Sequence, residues 1–209
     1  MLRAIKDYFS PPPIEAMTAL QSFMSGEASY LAQRSTYEFC RNTLAYFGQW
    51  VFDDDRFNEA FRVCRWEAYA AILADMVVIA DGHFRHADAG ESTALVERLQ
   101  QAYAAMLAGY PLPVHRPDGW ADAIEGVGRR LAQARLAKPS RVGDIARVAA
   151  RRVYDVLPLY SQHQDEDYKV IENAIRFGLI SFDGKFRSRV RADAVIADFL
   201  RLPSEAAPT

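Results

Sequence analysis

Apolar residues recur along this chain at three- and four-residue intervals, and no stretch alternates apolar and polar positions like a half-buried strand. The pattern predicts an all-α fold, an orthogonal or antiparallel bundle of about seven to eight helices with a long central helical hairpin. Ser10 followed by Pro11 reads as an N-cap with proline in the first turn, so a short helix is predicted from Pro11 to Met24, stopped by Gly26. A second spans about Glu27 to Val51. Asp53, Asp54 and Asp55 favour a new N-terminus through capping and the helix dipole, opening a third helix that runs to about Asp81, where Gly82 can adopt the left-handed terminating conformation.

The stretch from Glu91 to Gly109 predicts a fourth helix, and YPLPVHRPDGW is a connector whose prolines forbid regular structure. Pro117 or Asp118 opens a fifth helix to about Ala137, and Ser140 caps a sixth that ends before Pro158. Ser161 and Gln164 resemble a capping box for a seventh, with Asp165, Glu166 and Asp167 offsetting its dipole rather than holding a metal; a last helix covers Arg191 to Leu200.

The second and third segments pair. Tyr37, Cys40, Leu44, Phe47 and Val51 fall on one stripe, and Phe57, Phe61, Cys64, Ala68 and Ala71 on another. Folded about Phe52, the hairpin places Cys40 and Cys64 each about 18 Å from the turn at the usual helical rise, hence side by side. They form a candidate redox pair, although two small buried thiols in a reducing cytosol is the favoured reading. No CxxC or second Cys/His pair indicates zinc.

Half of the 209 residues are hydrophobic, enough to bury a full core, and the length suits one helical domain over 1–209, with a sub-boundary in the connector 110–118 and a flexible tail at 203–209. No run is apolar enough for a signal peptide or a transmembrane helix, which points to a cytoplasmic chain, and the abundance of Ala and Arg suggests a GC-rich bacterial gene. Formal net charge is −2, yet residues 1–125 carry 10 Lys and Arg against 17 Asp and Glu, whereas residues 126–209 carry 15 against 10. Either the two halves pair internally or the basic half meets an anion. Arg147, Arg151, Arg152, Arg187 and Arg189 are the candidate anion-binding residues, with Lys185 and Arg191 nearby.

Asp75 is the most informative position, because Ala71 to Ile79 leave it no polar face to share. A buried carboxylate needs a partner, a hydrogen bond or a proton. Arg176, in the equally apolar VIENAIRFGLISF, is the sequence candidate. Asp81, His83 and His86 follow within one short stretch, but they share a helical face only if the helix passes through Gly82; a helix end there is the favoured reading. The pattern of apolar helix, Ala80-Asp81-Gly82 and then an acidic residue is loosely similar to a motif of the tellurite-resistance B-type helical domains. That family places the acid closer to the glycine than Glu91 stands here.

GxSxG, GxxxxGK[ST], GxGxxG and HExxH are all absent. GVGRR at 126–130 sits inside a helical pattern, which argues against a phosphate cradle. Together these features favour a non-catalytic protein without a cofactor, acting through protein–protein interaction or regulation and open to homo-oligomerisation. The rival is a helical enzyme or ligand-binding protein whose pocket uses Asp75, Asp81, His83, His86 and Arg176, with a divalent metal as its cofactor. A third reading, a peripheral membrane or lipid-binding protein, rests on the amphipathic start LRAIKDYF and on 12 Phe, 10 Tyr and 3 Trp. A basic excess spread over 84 residues disfavours nucleic acid.

Overall fold

A computed structural model of the protein describes residues 11–44, 53–87, 93–159 and 164–201. Among them the fold is all-α, as the periodicity predicts. The helices are α1 (Met17–Leu44), α2 (Asp55–Ala87), α3 (Thr93–Ala108), α4 (Ala121–Ala134), α5 (Val142–Asp155), α6 (Gln164–Arg189) and α7 (Ala192–Arg201).

Helix α2 is the axis of the molecule. Every residue from Ala68 to Asp81 is buried, and all six other helices pack against α2. A helix apolar on every side is stable only when neighbours enclose it, which explains why this run shows no polar face in sequence. Its start follows the sequence expectation, because the Asp54 carboxylate accepts the Phe57 N–H at 2.9 Å, a cap that contributes about 1 kcal/mol.

Its end does not. The helix runs through Gly82 to Ala87, whereas the sequence reading ended it at Asp81. A glycine in a helix interior costs about 1 kcal/mol. Continuation buries the whole Phe84 side chain, a gain of roughly 2–3 kcal/mol, so packing outweighs propensity.

The same balance joins the two expected helices at residues 11–24 and 27–51 into one. Helix α1 passes through Gly26 because Met24, Ala28 and Leu31 bury on one face across it. It begins at Met17 rather than Pro11. The Met17 N–H donates to the Asp198 carboxylate of α7 at 2.9 Å, so the capping group comes from another helix. Just before it, Ile14 forms an isolated parallel bridge with Val190, donating to the Arg189 carbonyl at 2.8 Å and accepting from Arg191 at 2.9 Å.

Helices α1 and α2 pair antiparallel, with Ser25 meeting Tyr69 at 2.8 Å and Cys40 close enough to Cys64 to influence it electrostatically. Cys40, Leu44, Phe57, Cys64, Ala68 and Ala71 of the expected stripes are buried; Tyr37 is instead exposed, and Phe47 and Val51 lie outside the described residues. Both cysteines are free thiols. Burial pushes Cys40 up to about 12 and raises Cys64 as well, leaving little of the reactive thiolate at neutral pH.

The proline-rich connector is irregular, as expected, and it is held by charge. Glu67 of α2 accepts from Arg116 at 2.6 and 2.7 Å and pairs with His115 at 2.9 Å, while Arg116 also reaches Asp122 and lies over the Trp120 ring. Burial pushes the Glu67 carboxyl up, but the bonds from Arg116 and His115 outweigh it and hold it below the usual range. Gly119, at φ 79°, makes the turn into α4, which starts at Ala121 rather than at Pro117 or Asp118. Helix α5 starts at Val142 behind Arg141, so Ser140 does not cap it. The expected box at Ser161 and the 203–209 tail lie outside the described residues.

Candidate functional site

Among the described residues three carboxylates are buried: Asp75 and Asp81 on α2, and Asp183 on α6. Each is met by basic side chains brought in by other turns or helices.

Asp75, fully enclosed, pairs with Arg130 of α4 at 2.5 Å and accepts the Ala149 N–H of α5 at 3.2 Å. Arg176, the sequence candidate, is not its partner. That side chain packs beside Gly143 and over the Phe177 ring. Arg130 belongs to GVGRR, so this motif supplies a counter-ion rather than a phosphate cradle. Burial pushes Asp75 up to about 6, against the opposing pull of Arg130, the Ala149 N–H and Arg152.

Asp81, six residues on, lies in a clamp. Arg135, just beyond α4, donates from Nε at 3.2 Å and from Nη2 at 2.8 Å to one oxygen. Arg85 stands 3.0 Å from the other oxygen as an ion pair, without hydrogen-bond alignment on either buried atom. Arg85 also donates to the carbonyls of Ala134 at 2.7 Å and Ala137 at 3.3 Å, closing the C-terminus of α4.

The passage of α2 through Gly82 carries His83 toward α6. Its Nε2 lies 2.7 Å from Asp183, and its ring stacks on Phe186 with centroids 4.9 Å apart. An ionised carboxylate only accepts, so Nε2 carries the proton and Nδ1 remains as the second polar atom of the ring. Arg187, one turn on, pairs with the other Asp183 oxygen.

These groups border a cavity of about 210 Å³ where α2, α5, α6 and the end of α4 converge. His83, Arg85, Arg141, Asp183 and Arg187 supply its polar wall, and Val78, Ile79 and Ile145 part of its apolar wall. Arg141 makes no ion pair or side-chain hydrogen bond among the described residues. It stands at the N-terminus of α5, which has no side-chain cap, so helix-dipole charge adds to its own. Around Asp81 and Asp183, four guanidiniums (Arg85, Arg135, Arg141 and Arg187) face two carboxylates. The guanidiniums and carboxylates there therefore leave an excess of two positive charges among the described residues.

Of the sequence candidates, His83 and Arg187 line this cavity and Asp81 lies behind it through Arg85. Asp75 and Arg176 are elsewhere, and the His86 side chain lies outside the described residues. The remaining arginines do not form one anionic-partner surface. Arg147 faces Asp144 and Glu172, Arg151 pairs with Asp155, Arg152 lies toward Asp75, and Arg189 covers Phe23. Sequence reasoning missed Asp183, although ISFDGKF shows the same lone acid in an apolar run as Asp75. Nothing local marked Arg85, Arg135 or Arg141.

Among the described residues no three His, Cys, Asp or Glu gather to hold a metal ion, and no helix is long and apolar enough to cross a membrane. No family pattern, curated protein or solved structure matches the chain.

The Asp75 environment sets a pH dependence. Its folded carboxyl titrates near 6 and an unfolded one near 4, so the folded state binds the proton more readily between those values. Stability from this group is present below about pH 4 and is lost as pH rises through 6. The urea-unfolding free energy of the wild type minus that of Asp75→Asn should fall by roughly 2–3 kcal/mol from pH 4 to pH 7. A flat difference would mean that Arg130 fully compensates the buried charge.

Proposed function

We propose that this chain is a helical binding protein that holds a small oxyanion, of the dianionic phosphate class, in the cavity bounded by His83, Arg85, Arg141 and Arg187. The observation that carries the reading is the positive excess there, with Arg141 unpaired at the uncapped start of α5. A dianion would balance that excess and accept bidentate bonds from guanidinium. Val78, Ile79 and Ile145 give room for an apolar body attached to the anion. Asp183 fixes the His83 ring, whose Nδ1 can accept a hydroxyl hydrogen of the ligand while the guanidiniums donate to the oxyanion, and binding needs no chemical step.

A second reading, docking of another protein, is favoured by a separate feature. A groove of about 380 Å³ runs between α1 and α6, and its flanks carry Tyr30 at 59% exposure and Phe177 at 63%. Gly178 lets α6 approach Leu31 so closely that a Cβ there would lie 2.2 Å from a Leu31 methyl. With Val170 and Ile180 also exposed along α6, the groove suits the apolar face of a partner's amphipathic helix.

For the first reading, isothermal titration of the purified protein with inorganic phosphate at low salt should show saturable binding. Arg141→Gln should weaken it at least tenfold with the circular dichroism unchanged. Absence of saturation, or an unchanged Arg141→Gln, would remove the oxyanion reading. For the second, Phe177→Ser should change unfolding free energy by less than about 0.5 kcal/mol, as for a surface residue kept for recognition. A loss above about 1.5 kcal/mol would make Phe177 a packing residue.

A further inference from the structure

A second cavity, of about 330 Å³, opens between α1 and α2 beside the turn that follows α3. The nearest lining residues of the two cavities on α2, Tyr69 and Val78, are nine residues apart, or about 13 Å along the axis, and the two share no lining residue. Its volume lies in the range of small-molecule pockets, roughly 300–1,000 Å³.

Three aromatic rings build one side. Trp66 meets Tyr69 edge-on at 6.2 Å and Tyr110 at 5.6 Å, and Tyr69 meets Tyr110 at 5.5 Å. Their hydroxyls are fixed by a short ladder, with Ser25 Oγ 2.8 Å from Tyr69 and 3.2 Å from Tyr110, and Ser29 Oγ 3.5 Å from Tyr110. The two tyrosine rings are thereby held in place before any ligand arrives, and Trp66 packs edge-on against both.

The other side is cationic. Arg62 and Arg65, three residues apart on α2, both border the cavity and are exposed. Like charges at that spacing repel. Neither makes an ion pair, a hydrogen bond or a ring contact among the described residues, and no acidic side chain lines the cavity. Exposed arginines elsewhere divide: Arg34 takes Glu38, Arg129 takes Glu125 and Arg151 takes Asp155, whereas Arg41, Arg56 and Arg141 make no ion pair among the described residues. What sets Arg62 and Arg65 apart is that both border one aromatic-walled cavity. Ser29 and Gln33 add neutral hydrogen-bonding groups.

An aromatic wall, two unmatched guanidiniums and no competing acid fit one ligand chemistry. We propose that this cleft binds a planar aromatic ring bearing an anionic group, with the ring against Trp66 and Tyr110 and the anion between Arg62 and Arg65. Stacking supplies the flat-surface contact and guanidinium the bidentate geometry for a carboxylate or phosphate. The site does not depend on the oxyanion reading of the first cavity.

The test is calorimetric titration of the full chain with 1-naphthoate, its neutral counterpart 1-naphthalenemethanol, and adenosine 5′-monophosphate. Naphthoate should bind saturably and at least tenfold more tightly than the alcohol. The double variant Arg62→Gln/Arg65→Gln alters only exposed groups and should retain its circular dichroism. It should weaken naphthoate at least tenfold and the alcohol less than twofold. Ring-current shifts of the Trp66 indole proton should follow the naphthoate titration. Given saturable naphthoate binding, tighter binding of the nucleotide would assign the phosphate-bearing source, and the reverse order the carboxylate; either supports the class. Lack of saturable naphthoate binding, equal affinity for the alcohol, or indifference of naphthoate to the double variant would overturn the proposal.

Discussion

Ionised carboxylates inside an otherwise apolar helix dictate much of this structure. Asp75 and Asp81 stand in the fully enclosed stretch of α2, where an unmatched charge would cost several kcal/mol. The matching guanidiniums, Arg130 and Arg135, sit five residues apart at the end of α4. Two turns of α2 are thereby tied to one neighbour, and the ties set the height at which α4 lies along α2. Apolar packing alone is non-directional and would tolerate sliding. The charge asymmetry of the sequence is resolved in part the same way, since Asp75 with Arg130, Asp81 with Arg135, and Glu27 with Lys185 each join the acidic half to the basic half.

The candidate site is a consequence of those ties. Arg85 serves Asp81 and the last carbonyls of α4 together, which places the end of α4 beside Gly82. From there the chain turns past Pro139 to Arg141 and starts α5 against the same cavity, with the Pro139 ring 3.7 Å from where a Cβ on Gly82 would stand. On the opposite wall, His83 and Phe186 stack while Asp183 engages both His83 and Arg187. Asp81 and Asp183 thus lie behind and at one cavity, and among the described residues basic groups exceed acidic ones around it.

The class of fold was legible because helical periodicity is strong and strand alternation absent. The start of α2 was legible because Asp54 is a local cap. What local reading missed follows from long-range packing. Gly26 and Gly82 interrupt propensity, but Met24 and Ala28 around the first, and Phe84 beyond the second, bury enough surface to carry the helix through. The need of Asp75 for a partner was plain from its neighbours. The identity of that partner was not, because Arg130 and Arg176 differ only in where folding places them. Asp183 could have been found by the reasoning applied to Asp75, whereas Arg141 gains its importance only from an uncapped helix start and a missing carboxylate, both invisible one residue at a time.

The most direct test of the central claim is a double-mutant cycle on Asp81→Asn and Arg135→Gln, read by urea unfolding at neutral pH. If the buried pair fixes α4 against α2, each single variant should be destabilised and the two effects should fail to add, with a coupling of at least about 1.5 kcal/mol. Additivity within about 0.5 kcal/mol would contradict it and leave the arrangement of these helices to apolar packing alone.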